Sequence, residues 1–186
     1  MTAPAPRVSA WQPPPVLPAR PWDDDPAPRL EAHFSRIWHT SMAGLPFLNP
    51  VLSVAALPFA RVDGDWLGVV LTPWFLHAYL LPGGGSLWQD LAQGLRRPVV
   101  LPAGAVEFIG DGDAGLGPLQ YCVLLAPVPQ FADQDEALAA AREALAALLA
   151  PPPVSAPAPE SGASAGEVLA RGGRRRDFLR GMFRRG

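Results

Sequence analysis

Lysine is missing from this chain, and cysteine and histidine are scarce. All 15 basic residues are arginines, Cys122 is the only cysteine, and there are three histidines. A single cysteine excludes an intrachain disulfide and a zinc site built from several thiolates. Because three histidines make a poor supply of ligands for any other metal site, we expect no bound metal and no cofactor.

Long apolar runs are also missing. No run approaches the roughly 18 apolar residues that a membrane-spanning helix needs. The first 25 residues are rich in proline and alanine and lack the apolar centre of a secretory signal. We therefore expect a cytoplasmic protein without a membrane span.

The charge is divided unevenly along the chain. Residues 1–170 contain 8 arginines against 16 acidic residues, whereas residues 171–186 contain 7 arginines against Asp177 alone. An acidic body would repel phosphates, which argues against nucleic-acid binding. The basic end can lie on its own body or reach a separate acidic partner.

Two segments rich in proline and alanine frame one domain. We predict a disordered N-terminal tail over residues 1–27, a folded domain over 28–150, a linker over 151–173 and an arginine-rich tail over 174–186. Neither framing segment contains enough apolar residues to offset the entropy of an ordered chain.

Hydrophobic periodicity within the domain predicts the order α-β-β-β-α-β-β-α. The expected helices are an amphipathic one that starts near Leu30 and ends at Gly44, a short one over Leu87–Leu95 capped by Ser86, and a long one over Asp133–Leu149. The expected strands are Val51–Ala60, Trp66–Thr72, Phe75–Leu81, Gly104–Gly110 and Leu119–Ala126. Strands grouped between helices favour an α+β fold, an antiparallel five-stranded sheet with helices on one face.

The residues do not assemble into a catalytic set. His33 and His39 are six positions apart, about 240° around a helix, so they do not share a face. His77 and Cys122 lie in apolar strands, which favours a packed imidazole and a buried, inert thiol. We therefore predict that the protein is not an enzyme and has no catalytic residue.

Two glycine-containing patterns suggest ligand loops only weakly. The run Gly83–Gly85 lacks the sequence of a phosphate-binding loop, so a turn that ends a strand is the better interpretation. The pair Asp111 and Asp113 lacks the remaining ligands of a calcium loop. We interpret these two residues, and likewise Asp63 and Asp65, as solvated turns.

The segment Thr72-Pro73-Trp74-Phe75 combines a proline break with two large aromatic residues inside the predicted sheet. Each ring taken alone favours a place in the core. As a group, with Trp38, Trp66 and Trp88, the rings are too many to bury beside the aliphatic residues. We expect some of them to form an apolar patch that binds a peptide or protein, with Thr72, Pro73, Trp74 and Phe75 as contact residues.

The C-terminal tail contains the pattern R-R-x-F-L at Arg175, Arg176, Phe178 and Leu179. This pattern is the core of the twin-arginine signal that directs folded proteins across a membrane. It stands here at the C-terminal end, whereas a working signal needs the arginine pair near the N-terminus, followed by an apolar stretch. We interpret it as a copy of an export address; the alternative is an ordinary solvated, arginine-rich interaction tail.

Several segments together resemble the HybE/HupJ/HoxT family of [NiFe]-hydrogenase assembly chaperones. The resemblance covers roughly residues 28–150, and its most specific part is the strand Gly68-Val69-Val70-Leu71-Thr72-Pro73-Trp74-Phe75. The other matching segments are Gly44-Leu45-Pro46, Asn49-Pro50, Leu80–Gly83, Leu101–Gly104, Glu107-Phe108 and Pro127–Gln134. Where the family has S-P-M this chain has Ala126-Pro127-Val128, and where it often has M-N this chain has Leu76-His77.

The resemblance implies a non-enzymatic chaperone for the maturation of a [NiFe] hydrogenase before twin-arginine export. Its partners would be the small or large hydrogenase subunit and, in addition, a twin-arginine signal peptide or the export receptor. The contacts would come from residues 72–75 and from Arg175, Arg176, Phe178 and Leu179. A chaperone for another exported substrate is the alternative.

Overall fold

The computed structural model describes residue 16 and residues 18–151, which form two helices and seven strands. In chain order the elements are α1 (Ala27–Ile37), β1 (Ala55–Ala56), β2 (Ala60–Val62), β3 (Asp65–Leu71), β4 (Leu76–Leu81), β5 (Arg96–Leu101), β6 (Gly104–Asp113), β7 (Gly117–Leu125) and α2 (Gln134–Leu149). A π-helical turn, Trp38–Met42, continues α1. Most of the predicted N-terminal tail, and all of the linker and arginine-rich tail except Pro151, lie outside the described residues.

All strands pair antiparallel in one sheet, in the order β1-β3-β4-β7-β6-β5, with β2 also paired to β3. The predicted α+β class and antiparallel sheet are confirmed, but the predicted count of five strands is wrong. The expected first strand, Val51–Ala60, is divided into β1 and β2 around Pro58. Proline has no N–H to contribute to a ladder, so the strand is interrupted there.

The two helices lie on opposite faces of the sheet, which corrects the prediction that helices share one face. Helix α2 packs against the face that carries Val69 and Ala78. Helix α1 packs against the face that carries Val70 and Tyr79. Both faces of β3 and β4 are therefore buried. Their sequences are nearly continuous apolar runs, and such a run does not show whether helices cover one face of the sheet or both.

The predicted short helix over Leu87–Leu95 does not form. Side chains of the sheet take carbonyls that the helix would use, since Arg97 donates to the carbonyl of Leu87 and Gln120 donates to that of Gln89 at 2.7 Å. A buried carboxylate also holds this loop. Asp65 is fully buried, and its carboxylate accepts N–H bonds from Gly83 (2.7 Å), Gly85 (3.0 Å), Leu87 (2.9 Å) and Trp88 (2.8 Å). Asp65 is therefore not the solvated turn residue that the Asp-Gly-Asp pattern suggests. It anchors the loop between β4 and β5.

The sequence interpretation missed strand β5, which contains Arg96, Arg97 and Pro98. Proline is tolerated here because β5 is the last strand of the sheet, where a missing N–H can face away from the ladder. A two-residue connection, Pro102-Ala103, joins β5 to β6.

Helix α2 forms where alanine and a good N-cap predict it. The Asp133 carboxylate accepts the N–H of Glu136 at 2.8 Å and so satisfies one of the free donors at the helix start. The small side chains of Ala137, Ala141 and Ala144 are buried, so the helix backbone lies close to the sheet.

Candidate partner-binding surface

The Pro73 turn, residues 72–75, connects β3 to β4 and is built by a threonine hydroxyl. Thr72 is fully buried, and its Oγ1 accepts the N–H groups of Trp74 (3.2 Å) and Phe75 (3.0 Å). Pro73 is also buried, and Phe75 is 9% exposed. Trp74 is half-buried and is the residue of this turn with a sizeable surface available to a partner.

A row of stacked rings runs from the Pro73 turn across the sheet. The Phe75 ring lies edge-on to Phe34 with centroids 5.3 Å apart and stacks on His77 at 3.8 Å. On its other side, His77 stacks on Tyr121 at 5.0 Å. The row therefore links α1, β4 and β7 by ring contacts, which favour a fixed arrangement of these elements.

The two groups that a catalytic interpretation would use are uncharged at neutral pH. Burial lowers the pKa of His77 to about 4. Burial, with a smaller contribution from the charge of Glu107, raises the pKa of Cys122 to about 11. A neutral imidazole between two rings and a protonated thiol fit packing roles.

An apolar loop, residues 45–51, lies beside the Pro73 turn and exposes Leu45 (37%), Phe47 (51%) and Val51 (50%). Asn49 holds the loop in place. Its backbone N–H donates to the carbonyl of Pro73 at 2.8 Å, and its buried side-chain amide donates to the carbonyls at residues 128 and 131, both at 2.9 Å. Three exposed apolar side chains are thus carried on a segment that is anchored to the Pro73 turn.

A second apolar area, the open face, is the part of the α1 side of the sheet that lies over β5, β6 and β7. The pairs Ile109–Tyr121 and Val123–His77 set its register. Val100 and Val123 are 72% and 45% exposed, so this half of the sheet is much less covered than the half under α1. The outward side chains of the open face are Pro98, Val100, Ala105, Ile109, Tyr121 and Val123, beside one surface ion pair between Arg96 and Glu107.

At the start of β7 the chain forms a polar cavity of about 720 Å³, whose charged lining residues are three aspartates and the arginines Arg20 and Arg29. Its walls are the segment Pro18–Asp25, with its three consecutive aspartates, and the hairpin Ala114–Pro118 that joins β6 to β7. The guanidinium of Arg29 stacks over the Trp22 ring at 4.3 Å and donates to the carbonyl of Gly115 at 3.1 Å.

Of the aromatic residues named in the sequence interpretation, Phe75 is buried, and the Arg61 guanidinium covers one face of the Trp66 ring at 4.0 Å. Trp38, Trp66, Trp74 and Trp88 are all half-buried. The residues that sequence reasoning missed are Phe47, Val51 and Val100, with Tyr121 and Val123 on β7. None belongs to a motif, and the strand register alone brings the last three together. The predicted contacts Arg175, Arg176, Phe178 and Leu179 lie outside the described residues.

Among residues 18–151 no group of three histidine, cysteine or carboxylate side chains gathers as a metal site. In the same part of the chain, no helix is both long enough and apolar enough to cross a bilayer. Asp113, at the β6–β7 hairpin, accepts N–H bonds from Gly115 and Leu116 and contacts His33 Nε2 at 2.9 Å.

Residues 25–181 match the family model described as "[NiFe]-hydrogenase assembly, chaperone, HybE". HoxT of Cupriavidus necator is 36% identical over 146 residues, covering 69% of this chain and 78% of that protein. HupJ of Bradyrhizobium diazoefficiens, a hydrogenase expression/formation protein, is 34% identical over 122 residues. That alignment covers 66% of this chain and 70% of HupJ.

The chain spans a smaller share, 41%, of the Rhodobacter capsulatus protein named probable rubredoxin HupJ, to which it is 34% identical over 113 residues. The solution structure of HybE from Escherichia coli is similar with a TM-score of 0.58 and 27% identity. That alignment covers 82% of this chain and 94% of the HybE chain.

Proposed function

The chain belongs to the HybE family of [NiFe]-hydrogenase assembly chaperones, and from this membership we propose that it holds an immature hydrogenase subunit until assembly is complete. The family resemblance seen in the sequence is confirmed by the family model and by the HoxT, HupJ and HybE relatives. The contact surface, the bound subunit and the link to export are proposals.

The observation that supports this binding function best is the exposed apolar loop beside Trp74. Exposed side chains such as Phe47 and Val51 cost free energy in water unless a partner covers them. Tryptophan and other large aromatic residues supply much of the binding energy at protein interfaces. Because Asn49 anchors the loop on the Pro73 turn, these side chains are positioned before the partner arrives, which lowers the entropic cost of binding.

The proposed place and time of action are the cytoplasm, before twin-arginine export of the assembled hydrogenase. The partner is the small subunit, the large subunit or both, and the protein acts by binding without chemistry. The C-terminal residues Arg175, Arg176, Phe178 and Leu179 complete the proposed contact set, because they copy the recognition pattern of an export signal.

The test measures binding of the full chain to two purified proteins, the small-subunit precursor and the metal-free large subunit. We expect one of them to bind, and Trp74→Ala and Phe47→Ser each to weaken binding by about tenfold or more, the usual effect of removing an aromatic anchor. Leu95→Ser is the matched control, because Leu95 is 43% exposed and lies in the loop before β5.

Two results would contradict the proposal. The first is that neither subunit binds the wild-type chain. The second is that Leu95→Ser weakens binding as much as the two test variants do. Binding of a different exported protein in place of both hydrogenase subunits would favour the alternative function that the sequence left open.

A further inference from the structure

We propose that the open face is covered by this chain's own N-terminal segment, residues 8–17, in an extended polyproline II conformation. Trp11 makes the principal contact, and its ring packs on outward apolar side chains of β5 and β6, among them Val100 and Ile109. This inference goes beyond the proposed function and does not depend on it, because no hydrogenase subunit takes part in the contact.

The open face is an apolar surface at the edge of the sheet. Val100, on the edge strand β5, is 72% exposed, and Val123, on β7, is 45% exposed. An uncovered apolar edge invites association with other molecules, and proteins usually protect such edges. Pro98 limits pairing through the backbone of β5, because it has no N–H, but it leaves the apolar side chains uncovered. A cover for this face must therefore be apolar and must extend to the sheet edge.

The N-terminal part of the described chain lies at the end of the sheet beside this face. The N–H of Ala19 donates to the Asp90 carboxylate at 3.1 Å, in the loop between β4 and β5. Three residues further along this loop, the side-chain amide of Gln93 donates to Asp111 at 3.0 Å, and Asp111 is two residues from Ile109 on β6. The residues before Ala19 therefore continue from a point near the open face.

The segment is long enough to cross the face. Ala105, which pairs with Val100, is six residues or about 20 Å from Asp111 along β6. Trp11 precedes Pro18 by seven residues. At the rise of about 3.1 Å per residue of a polyproline II helix, these seven residues span about 22 Å. The ring of Trp11 can therefore reach the middle of the face, and the residues before it can reach its far end.

The segment has an apolar edge in the conformation that its prolines favour. Residues 13–15 are three consecutive prolines, which favour polyproline II, a helix with three residues per turn. Residues three apart lie on one edge of such a helix, and one edge contains only apolar residues, namely Val8, Trp11, Pro14 and Leu17. Ser9 and Gln12 belong to a second edge. Val16 belongs to the third edge and is 51% exposed.

The chemistry of this segment suits the open face better than that of the arginine-rich tail does. Residues 8–19 have no charged side chain, and Arg96 and Glu107 on the face already pair with each other at 2.6 Å. Residues 171–186 would bring seven arginines to this surface. Polyproline II segments commonly bind surfaces lined by aromatic side chains, and Tyr121 supplies such a ring. Because prolines already restrict the free chain, ordering it on the face costs less conformational entropy.

The first test locates the segment by paramagnetic broadening of amide NMR signals in the full-length protein. Cys122→Ala removes the single native thiol, and Ser9→Cys then carries a nitroxide label two residues from Trp11. We expect the outward residues of β5 and β6 to lose far more signal intensity than α2, which lies on the opposite face. A label at Gly181→Cys, in the arginine-rich tail, is the control and should leave the signals of the open face unchanged.

The second test adds a synthetic peptide of residues 6–18 to full-length proteins. A tethered segment has an effective concentration near the millimolar range, so it should weaken binding of the added peptide by about tenfold when the peptide's own Kd is about 0.1 mM. Trp11→Ala should therefore raise the affinity of the protein for the peptide by about tenfold. Adding Val100→Glu to this variant should abolish peptide binding. Adding Val51→Glu instead should leave it unchanged, because Val51 is 50% exposed but lies in the apolar loop.

Unchanged signals on the open face, or broadening by the label at residue 181 in place of the label at residue 9, would each overturn the proposal. So would equal peptide affinity for the wild type and Trp11→Ala, or loss of peptide binding with Val51→Glu and not with Val100→Glu. Broadening that arises only between a labelled and an unlabelled copy would assign the cover to a second molecule and would also overturn it. No hydrogenase subunit is present in these measurements, so their failure leaves the proposed chaperone function standing.

Discussion

The strongest stability prediction concerns Asp65, because one fully buried carboxylate accepts four backbone N–H bonds from the β4–β5 loop. Hydrogen bonds to a charged group contribute about 1.5–3 kcal/mol each in favourable cases. Gly85 is exposed and the other three donor residues are not fully covered, so water replaces part of the loss. We therefore expect Asp65→Ala to lower the free energy of unfolding by about 3–5 kcal/mol, less than the four bonds would sum to.

Asp65→Asn should cost nearly as much as Asp65→Ala. The amide oxygen of asparagine can accept two of the four N–H groups, but its NH₂ then faces the other two donors and repels them. Asp24→Ala is the control, since Asp24 is exposed and should change the unfolding free energy by no more than about 0.5 kcal/mol.

Urea denaturation followed by tryptophan fluorescence measures all three variants. If Asp65→Ala stays within about 1 kcal/mol of the wild type, or Asp65→Asn is fully tolerated, the assigned role of this carboxylate is wrong. In that case the loop between β4 and β5 is held by other contacts.

Two further predictions rest on the shifted pKa values. The pKa of His77 is lowered to about 4, so the unfolded chain, with its ordinary value of 6.5, binds more protons as the pH falls, and stability is lost between about pH 6.5 and 4. From pH 7 to 5 the free energy of unfolding of the wild type should fall by about 2 kcal/mol more than that of His77→Phe. Urea denaturation at each pH measures this difference, and equal losses in the two proteins would contradict the buried, neutral imidazole. Cys122 is half-buried, and its pKa is raised to about 11. At pH 8 its thiol should therefore react with iodoacetamide about a hundredfold more slowly than in the urea-unfolded chain, and equal rates would contradict the raised pKa.

Local sequence patterns predicted an element best where its own residues strongly favour one kind of secondary structure. The predictions Trp66–Thr72 and Asp133–Leu149 agree with β3 and α2 to within one residue at each end. Alanine-rich helical periodicity behind an aspartate N-cap, and an apolar β-branched run, are strong local signals. They depend little on distant contacts.

The misassigned elements depend on partners far away in the sequence. The segment after Ser86 has helical spacing, yet Arg97 on β5 and Gln120 on β7 take its carbonyl groups at Leu87 and Gln89. Strand β5 contains Arg96, Arg97 and Pro98, a combination that fits a strand only at the edge of a sheet. Neither fact is visible before the sheet order is known.

The amino-acid sequence by itself determined the α+β class, the family resemblance, the basic tail with its twin-arginine pattern and the poor supply of metal ligands. Only the tertiary structure decided that the helices occupy opposite faces, that Thr72 builds the Pro73 turn, and that exposed apolar side chains of β5 and β7 share one face of the sheet. The physical reason is that composition and motifs are properties of neighbouring residues. A surface is created by strand pairing, which brings Val100, Ile109 and Val123 together from positions that share no pattern.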